Sequence, residues 1–161
     1  MTISDDFLPG VLLQQVKQAA RSVQRETLLD YAIHAAIEPD RDQRAWALVS
    51  LAKQLRDDEQ HERALNVLDA VVALDPSWDA QSAAFTVAAA IHCDRKEFDK
   101  ARAICDETMD RGINVYVLKT AARVYWESAQ ATKVQEFYDK WKSISAALEE
   151  LERSAEVQTA S

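Results

Sequence analysis

The chain has 161 residues, a formal net charge of −8 and 48% hydrophobic residues. This length suits one domain with a real core, and the acidic charge argues against nonspecific binding to nucleic acids or anionic membranes. Two glycines and three prolines are too few for the many tight turns of a sheet protein, so we expect an all-α fold.

The first element that we expect is an amphipathic helix near the N-terminus, where apolar residues recur at helical spacing: Leu12, Leu13, Val16 and Ala20. A second helical run covers residues 28–39. The N-terminal stretch lacks the basic start and apolar run of a signal peptide, and no apolar run approaches the length of a membrane span. We therefore expect a cytoplasmic protein.

Two further helical runs follow in the middle of the chain. The first contains Leu48, Leu51, Ala52 and Leu55, and the second contains Ala64, Leu65, Leu68, Val71 and Val72. The stretch between them, residues 56–61, is polar and suits a turn between two helices. Pro76 ends the second run, because proline disfavours helical geometry in the residue before it.

A repeat relates these runs to later ones. A spacing of 37 carries residues 28–39 onto 65–76, and it also relates Ala52 to Ala89, Ala64 to Ala101 and Leu68 to Cys105. A spacing of 33 then relates Phe85 to Leu118, Ala88 to Ala121 and Ala101 to Val134. Because small residues recur where paired helices must approach closely, we expect a core that includes Ala64, Leu68, Ala89 and Ala101.

The repeat resembles the tetratricopeptide family, whose unit of about 34 residues is a pair of antiparallel helices. The match is best in eight residues: Leu48, Leu51, Ala52, Leu55, Ala64, Leu68, Val71 and Pro76. The resemblance implies a right-handed α-solenoid of about three to four repeats with capping helices. We expect a single domain over residues 1–152 and a flexible tail over 153–161. Residues 98–113 look as much like a pentatricopeptide helix.

Candidate chemistry is sparse in this sequence. Cys93 and Cys105 lie in helical segments without a second ligand nearby, which is typical of free buried thiols in a reducing compartment. The three histidines are far apart, and neither a glycine-rich nucleotide loop nor a nucleophile beside a base is evident. We expect no metal, no cofactor and no catalytic activity.

The resemblance implies a binding groove, because the first helix of each pair lines the concave side in this class of repeat. Helical spacing places aromatic and basic residues on that face, within an acidic protein. The groove residues that we expect are Trp46, Val49, Lys53, Arg56, Thr86, Tyr116, Lys119, Arg123 and Trp126. We expect the charged members to be exposed and to contribute little to folding.

By this resemblance, the function that we expect is that of a non-enzymatic protein-binding module, an adaptor or chaperone. It would hold a peptide or helix of another protein, acidic and with apolar anchors. Small stand-alone members of the family include chaperones of bacterial type III secretion. The alternatives are a self-associating structural protein, an RNA binder of the pentatricopeptide type and an enzyme. We expect neither nucleic acid nor membrane as partner, and a homo-oligomer stays open.

Overall fold

The computed structural model describes residues 40–160. This range holds six α-helices and no strand, so the predicted all-α class is confirmed there. The two helical runs predicted before residue 40 lie outside the described residues. The helices are α1 (Arg41–Asp57), α2 (His61–Ala73), α3 (Trp78–Asp94), α4 (Phe98–Arg111), α5 (Val115–Thr132) and α6 (Gln135–Ala160). None of them combines the length and apolarity needed to cross a membrane.

The helices repeat at one spacing throughout the described range. Helices α1, α3 and α5 begin at residues 41, 78 and 115, and α2, α4 and α6 begin at 61, 98 and 135, so successive starts are 37 residues apart. The spacing of 33 predicted for the last unit is therefore wrong. The two spacings differ by four residues, about one helical turn. Because residues four apart share a helix face, both spacings align residues that lie on the same face.

The ends of the helices repeat as well. The side chain of Asp40 accepts the amide of Gln43 at 3.0 Å at the start of α1, and Asn114 accepts the amide of Val117 at 2.9 Å at the start of α5. Each cap satisfies one backbone donor that the first helical turn leaves unpaired. The turns after α1, α3 and α5 contain Glu59, Lys96 and Lys133, each with φ of 61°. Charged residues thus fill left-handed positions that usually favour glycine.

The chain divides into two compact units, the first ending at Ala88 and the second beginning at Ala89, so the division lies within α3. The single domain expected over residues 1–152 stays a prediction. In the first unit, α1 packs on α2. Its largest buried side chains come from both helices: Leu48, Val49, Leu51, Leu55, Val67 and Val71.

A polar contact fixes the start of α1 in the first unit. The carboxylate of Asp42 accepts the backbone N–H of Ser77 at 2.8 Å, and Arg41 donates to the carbonyl of Asp75 at 3.3 Å. The hydrogen bond from Ser77 holds the pKa of Asp42 below its ordinary value. These bonds join the beginning of α1 to the segment that precedes α3, 35 residues later.

In the second unit, α5 packs against both α4 and α6. The core combines small residues of α3 and α4 with residues of α5 and α6 that are larger except for Ala121: Ala89, Cys93, Ala101, Cys105, Leu118, Ala121, Val124, Tyr125 and Ile144. Four small residues from α3 and α4 let α5 approach closely, and close packing of this kind leaves no space for added volume.

Helix α6 is longer than its counterparts, with 26 residues against 13 in α2 and 14 in α4. Leu148 and Leu151 still pack against the core of the second unit. The side chains of residues 152–158 are exposed, Val157 to 67%. We expected a tail from residue 153, but the helix continues through Ala160.

Two alanines of α4 provide a matched test of this packing. Ala101 is 0% exposed and belongs to the core, whereas Ala103 is exposed on the same helix. We expect Ala101→Leu to lower the free energy of unfolding by about 1–3 kcal/mol, because added methylenes strain a close-packed core. Ala103→Leu should change it by less than about 0.5 kcal/mol. Urea unfolding of both variants measures the difference, and equal stabilities would contradict the packing described.

Candidate protein-binding surface

Helix α5 of the second unit has one buried face and one outward face. The buried face consists of Val117, Leu118, Ala121, Val124, Tyr125, Ser128 and Ala129. The opposite face carries four of the predicted groove residues at spacings of three and four, which places them along one line of the helix. We call this line the α5 stripe: Tyr116, Lys119, Arg123 and Trp126.

The aromatic members of the α5 stripe are open to solvent. Tyr116 is 75% exposed and Trp126 is 40% exposed. Lys119 is also exposed and forms no ion pair within residues 40–160. A surface with accessible aromatic rings and an unpaired cation has the chemical groups that commonly contribute most to protein–protein affinity.

Arg123 differs from the free cation that we expected. Its Nη2 donates to Oδ1 of Asp94 at 2.7 Å, and its Nε pairs with Oε2 of Glu127, also at 2.7 Å. Asp94 ends α3, so the guanidinium joins α3 to α5 within the second unit. Because two carboxylates flank one guanidinium, the charge of Arg123 is already compensated within the second unit.

A buried thiol extends this network. Sγ of Cys93 donates to Oε2 of Glu127 at 3.0 Å, so one carboxylate receives both the thiol and the guanidinium. Burial, and then the hydrogen bond to Glu127, raise the pKa of Cys93 to about 12. Burial likewise raises the pKa of Cys105 to about 12. Thiols with pKa values this high stay protonated and react slowly at neutral pH.

Trp126 belongs to an aromatic cluster that the sequence did not reveal. Its ring lies 4.6 Å from that of Trp141 and 6.0 Å from that of Tyr138, centroid to centroid, the latter in an edge-to-face arrangement. Both partners lie on α6. The groove residues predicted from the sequence all lie on the first helix of a pair. A uniform spacing of 37 would have paired Trp126 with Ala89 and Tyr138 with Ala101, drawing attention to both aromatic residues.

The first unit holds the other five predicted groove residues. Trp46 is 39% exposed and Lys53 is exposed, as expected of surface positions. Val49 is only 1% exposed and packs in the core of its unit, so it is not accessible to a partner. Arg56 and Thr86 are half-buried, and the hydroxyl of Thr86 donates to the carbonyl of Ala83 at 2.9 Å. Whether these residues share a groove with the α5 stripe stays a prediction.

A cleft of about 550 Å³ lies elsewhere in the second unit, among α4, α5 and α6. Several of its polar groups contact other side chains of the same unit. The guanidinium of Arg102 sits 4.0 Å above the ring of Phe137 and pairs with Asp99, and the hydroxyl of Tyr125 donates to Asp106 at 2.6 Å. These contacts join the three helices and favour a structural role for the cleft. Among residues 40–160, no three His, Cys, Asp or Glu side chains are placed to hold a metal ion.

No protein-family model, curated protein or solved structure matches this chain. The resemblance to tetratricopeptide repeats therefore stays an interpretation of the residues quoted above. The repeat of 37 and the sequential packing of α4, α5 and α6 are properties of this chain itself.

The two cations of the α5 stripe should respond differently to charge reversal. Arg123→Glu would place a third carboxylate beside Asp94 and Glu127, and we expect it to lower the free energy of unfolding by about 1–3 kcal/mol. Lys119→Glu removes no ion pair and should shift it by less than about 0.5 kcal/mol. Thermal melting of both variants tests this. Equal melting temperatures would show that the Arg123 contacts do not stabilise the fold.

The thiols predict a dependence of stability on alkaline pH. Because the folded state raises the thiol pKa values, it holds those protons more tightly than the unfolded chain does. This stability is complete below the ordinary thiol pKa of about 8.5 and declines as pH rises toward 12. We expect the urea concentration at the unfolding midpoint to decrease as the pH is raised from 8 to 10.5. The double variant Cys93→Ala, Cys105→Ala should show a smaller decrease, because it lacks the two buried thiols.

Labelling with a thiol reagent at pH 8 gives an independent measurement. Both cysteines should react slowly in the native protein and rapidly in urea. Rapid labelling of the native protein would contradict the burial of the two thiols.

Proposed function

We propose that this chain is a non-enzymatic module that binds another protein through the α5 stripe of its second unit. One observation carries the proposal: Tyr116 is 75% exposed on a helix whose opposite face is almost completely buried. The buried face fixes the rotation of α5, so the outward side chains are held in place before a partner arrives. Preorganised groups of this kind lose little conformational entropy on binding.

The chemistry of the α5 stripe indicates the type of partner. Tyr116 and Trp126 combine a large apolar ring with a polar group, which suits them to interfaces that exclude water incompletely. Lys119 adds an unpaired positive charge, which would accelerate encounter with an acidic segment more than it would tighten the complex. The partner that fits is an acidic peptide or helix with apolar anchors.

The wider interpretation follows the resemblance of the sequence. A tetratricopeptide-like, right-handed solenoid with stacked antiparallel pairs would present its first helices on one concave side. The protein would then act in the cytoplasm as an adaptor or as a chaperone that holds a partner. The 37-residue repeat of three helix pairs supports this proposal, because stacked repeats commonly form extended binding surfaces.

Self-association is the second candidate, and the length of α6 favours it. Past Leu151, residues 152–158 of this helix have exposed side chains, including Val157. A second copy could cover such a segment. Light scattering across a range of concentrations measures the molar mass directly and separates the two candidates.

Affinity capture with matched variants tests the proposed surface. The full chain is immobilised as wild type and as the double variant Tyr116→Ala, Lys119→Glu, and the proteins retained from host extract are quantified by mass spectrometry. We expect at least one protein to be retained by the wild type and reduced about tenfold or more by the variant, because loss of an aromatic anchor costs more than about 1 kcal/mol.

The control repeats the same kinds of change elsewhere on the second unit. Val157→Ala with Lys140→Glu removes one exposed apolar side chain and reverses one exposed cation, both outside the α5 stripe. This control should retain the partner. Equal loss from the two variants, or none from either, would exclude the α5 stripe as the binding surface.

A further inference from the structure

The helix pair α3–α4 presents a face of small residues to its neighbour. Ala89 and Cys93 of α3 and Ala101 and Cys105 of α4 lie in one core cluster with residues of α5. The bond from Cys93 to Glu127 shows that α5 lies directly against this face. Within the second unit, the occupant of such a face is therefore a helix.

The next pair presents the equivalent face at positions 37 residues later. These positions hold Trp126 and Gln130 of α5 and Tyr138 and Lys142 of α6, in place of two alanines and two cysteines. We call them, together with Trp141, the terminal face. Trp126, Gln130 and Lys142 are exposed, and Tyr138 and Trp141 are half-buried, so no helix of residues 40–160 covers this face.

The aromatic rings of the terminal face form a preassembled platform. Trp126 contacts Trp141 at 4.6 Å and Tyr138 at 6.0 Å, centroid to centroid, and Nε2 of Gln130 donates to the hydroxyl of Tyr138 at 3.3 Å. A face that served only to end the stack would be expected to carry mainly polar side chains. Here three large rings remain in contact with solvent, which is typical of a binding surface.

The size of Trp126 determines what can bind there. Ala89 allows α5 to approach closely, but an indole at the equivalent position holds any neighbour farther away. A further helix pair could not seat in the same manner. A single helix with an apolar stripe can lie across the rings, because it needs no close backbone contact on two helices at once.

The charges around the terminal face indicate which charge a partner should carry. Lys142 lies on the face and Lys133 lies in the turn between α5 and α6, and neither forms an ion pair within residues 40–160. Glu127, which follows Trp126 on α5, already accepts from Arg123 and Cys93. The face thus carries one unpaired lysine and is flanked by another in a chain of net charge −8, and these two cations complement an acidic ligand.

From the equivalence of the two faces, we infer that the terminal face binds a single amphipathic helix of a partner protein, with an apolar stripe and acidic flanks. This inference rests on the proposed function and assigns it a specific ligand shape. Trp126 belongs to both the α5 stripe and the terminal face, whereas Tyr138, Trp141 and Lys142 belong only to the terminal face.

A display library of helical peptides tests this inference without knowledge of the natural partner. Its apolar stripe is randomised among aliphatic and aromatic residues, and its flanks are glutamate in one pool and lysine in the other. Selection on the full chain should enrich binders from the glutamate pool only. Enrichment from both pools equally, or from neither, would overturn the inference.

Fluorine-19 NMR of protein labelled with fluorotryptophan then locates the bound peptide. The chain has four tryptophans, of which Trp126 and Trp141 mark the terminal face and Trp46 and Trp78 lie in the first unit. We expect selected peptides to shift the first two signals and to leave the other two unchanged. Shifts confined to Trp46 or Trp78, or shifts that appear on concentrating the protein without peptide, would overturn the inference; the latter would identify a second copy as the occupant.

Charge reversal distinguishes this inference from the proposed function. Lys133→Glu with Lys142→Glu should weaken the selected acidic peptides about tenfold or more, while Lys140→Glu with Lys100→Glu, also exposed, should weaken them less than about threefold. Peptides weakened only by Tyr116→Ala with Lys119→Glu would overturn the terminal-face inference and leave the α5 stripe as the binding surface. If the proteins captured from host extract are retained by both the Lys133→Glu, Lys142→Glu variant and the Tyr116→Ala, Lys119→Glu variant, the result would instead contradict the proposed function.

Discussion

The structure depends on one constraint: each helix pair has an apolar face that it cannot cover by itself. In the second unit this constraint is met by small side chains, since Ala89 and Ala101 are both fully buried where α3 and α4 receive α5. Close packing then fixes the rotation of α5 about its axis. The outward position of Tyr116 follows directly from the inward position of Val117 and its neighbours on the buried face. The exposed chemistry of this helix is thus set by its packing.

Much of the architecture follows from local signals in the sequence. Helical spacing, scarce glycine and the polar stretch 56–61 predict the helix class and the first turn, and the structure confirms both. The register of the last unit was harder to predict, because a spacing of 33 aligns alanines of α3 with Ala121 and Ala122, whereas the spacing of 37 that the helices follow aligns Ala89 with Trp126. The extension of α6 also has a signal in the sequence, because after residue 147 the chain is rich in helix formers and lacks glycine and proline.

The candidate surface was less predictable than the fold, and the reason is electrostatic. Glu127 lies four residues after Arg123, a spacing that commonly pairs opposite charges on a helix. Asp94 lies 29 residues before Arg123, and only tertiary packing reveals that contact. A sequence pattern can show which charges share a helix face, but not which of them are already compensated by another helix. The same limit applies to burial. Val49 of α1 is buried although it lies outside the apolar face that the periodicity of the sequence indicated.

Compensation of Arg123 changes how recognition by this protein should be understood. A groove dominated by free arginine and lysine would bind acidic ligands mainly through charge, with affinity falling steeply as salt rises. With Arg123 paired, the uncompensated cations of the second unit near the aromatic rings are fewer, and the rings become the larger source of binding energy. Such a surface would discriminate by shape first and by charge second. The difference is physical: charges act over about 10 Å at 0.1 M salt, whereas the rings of Trp126 and Trp141 act only on a partner that fits against them.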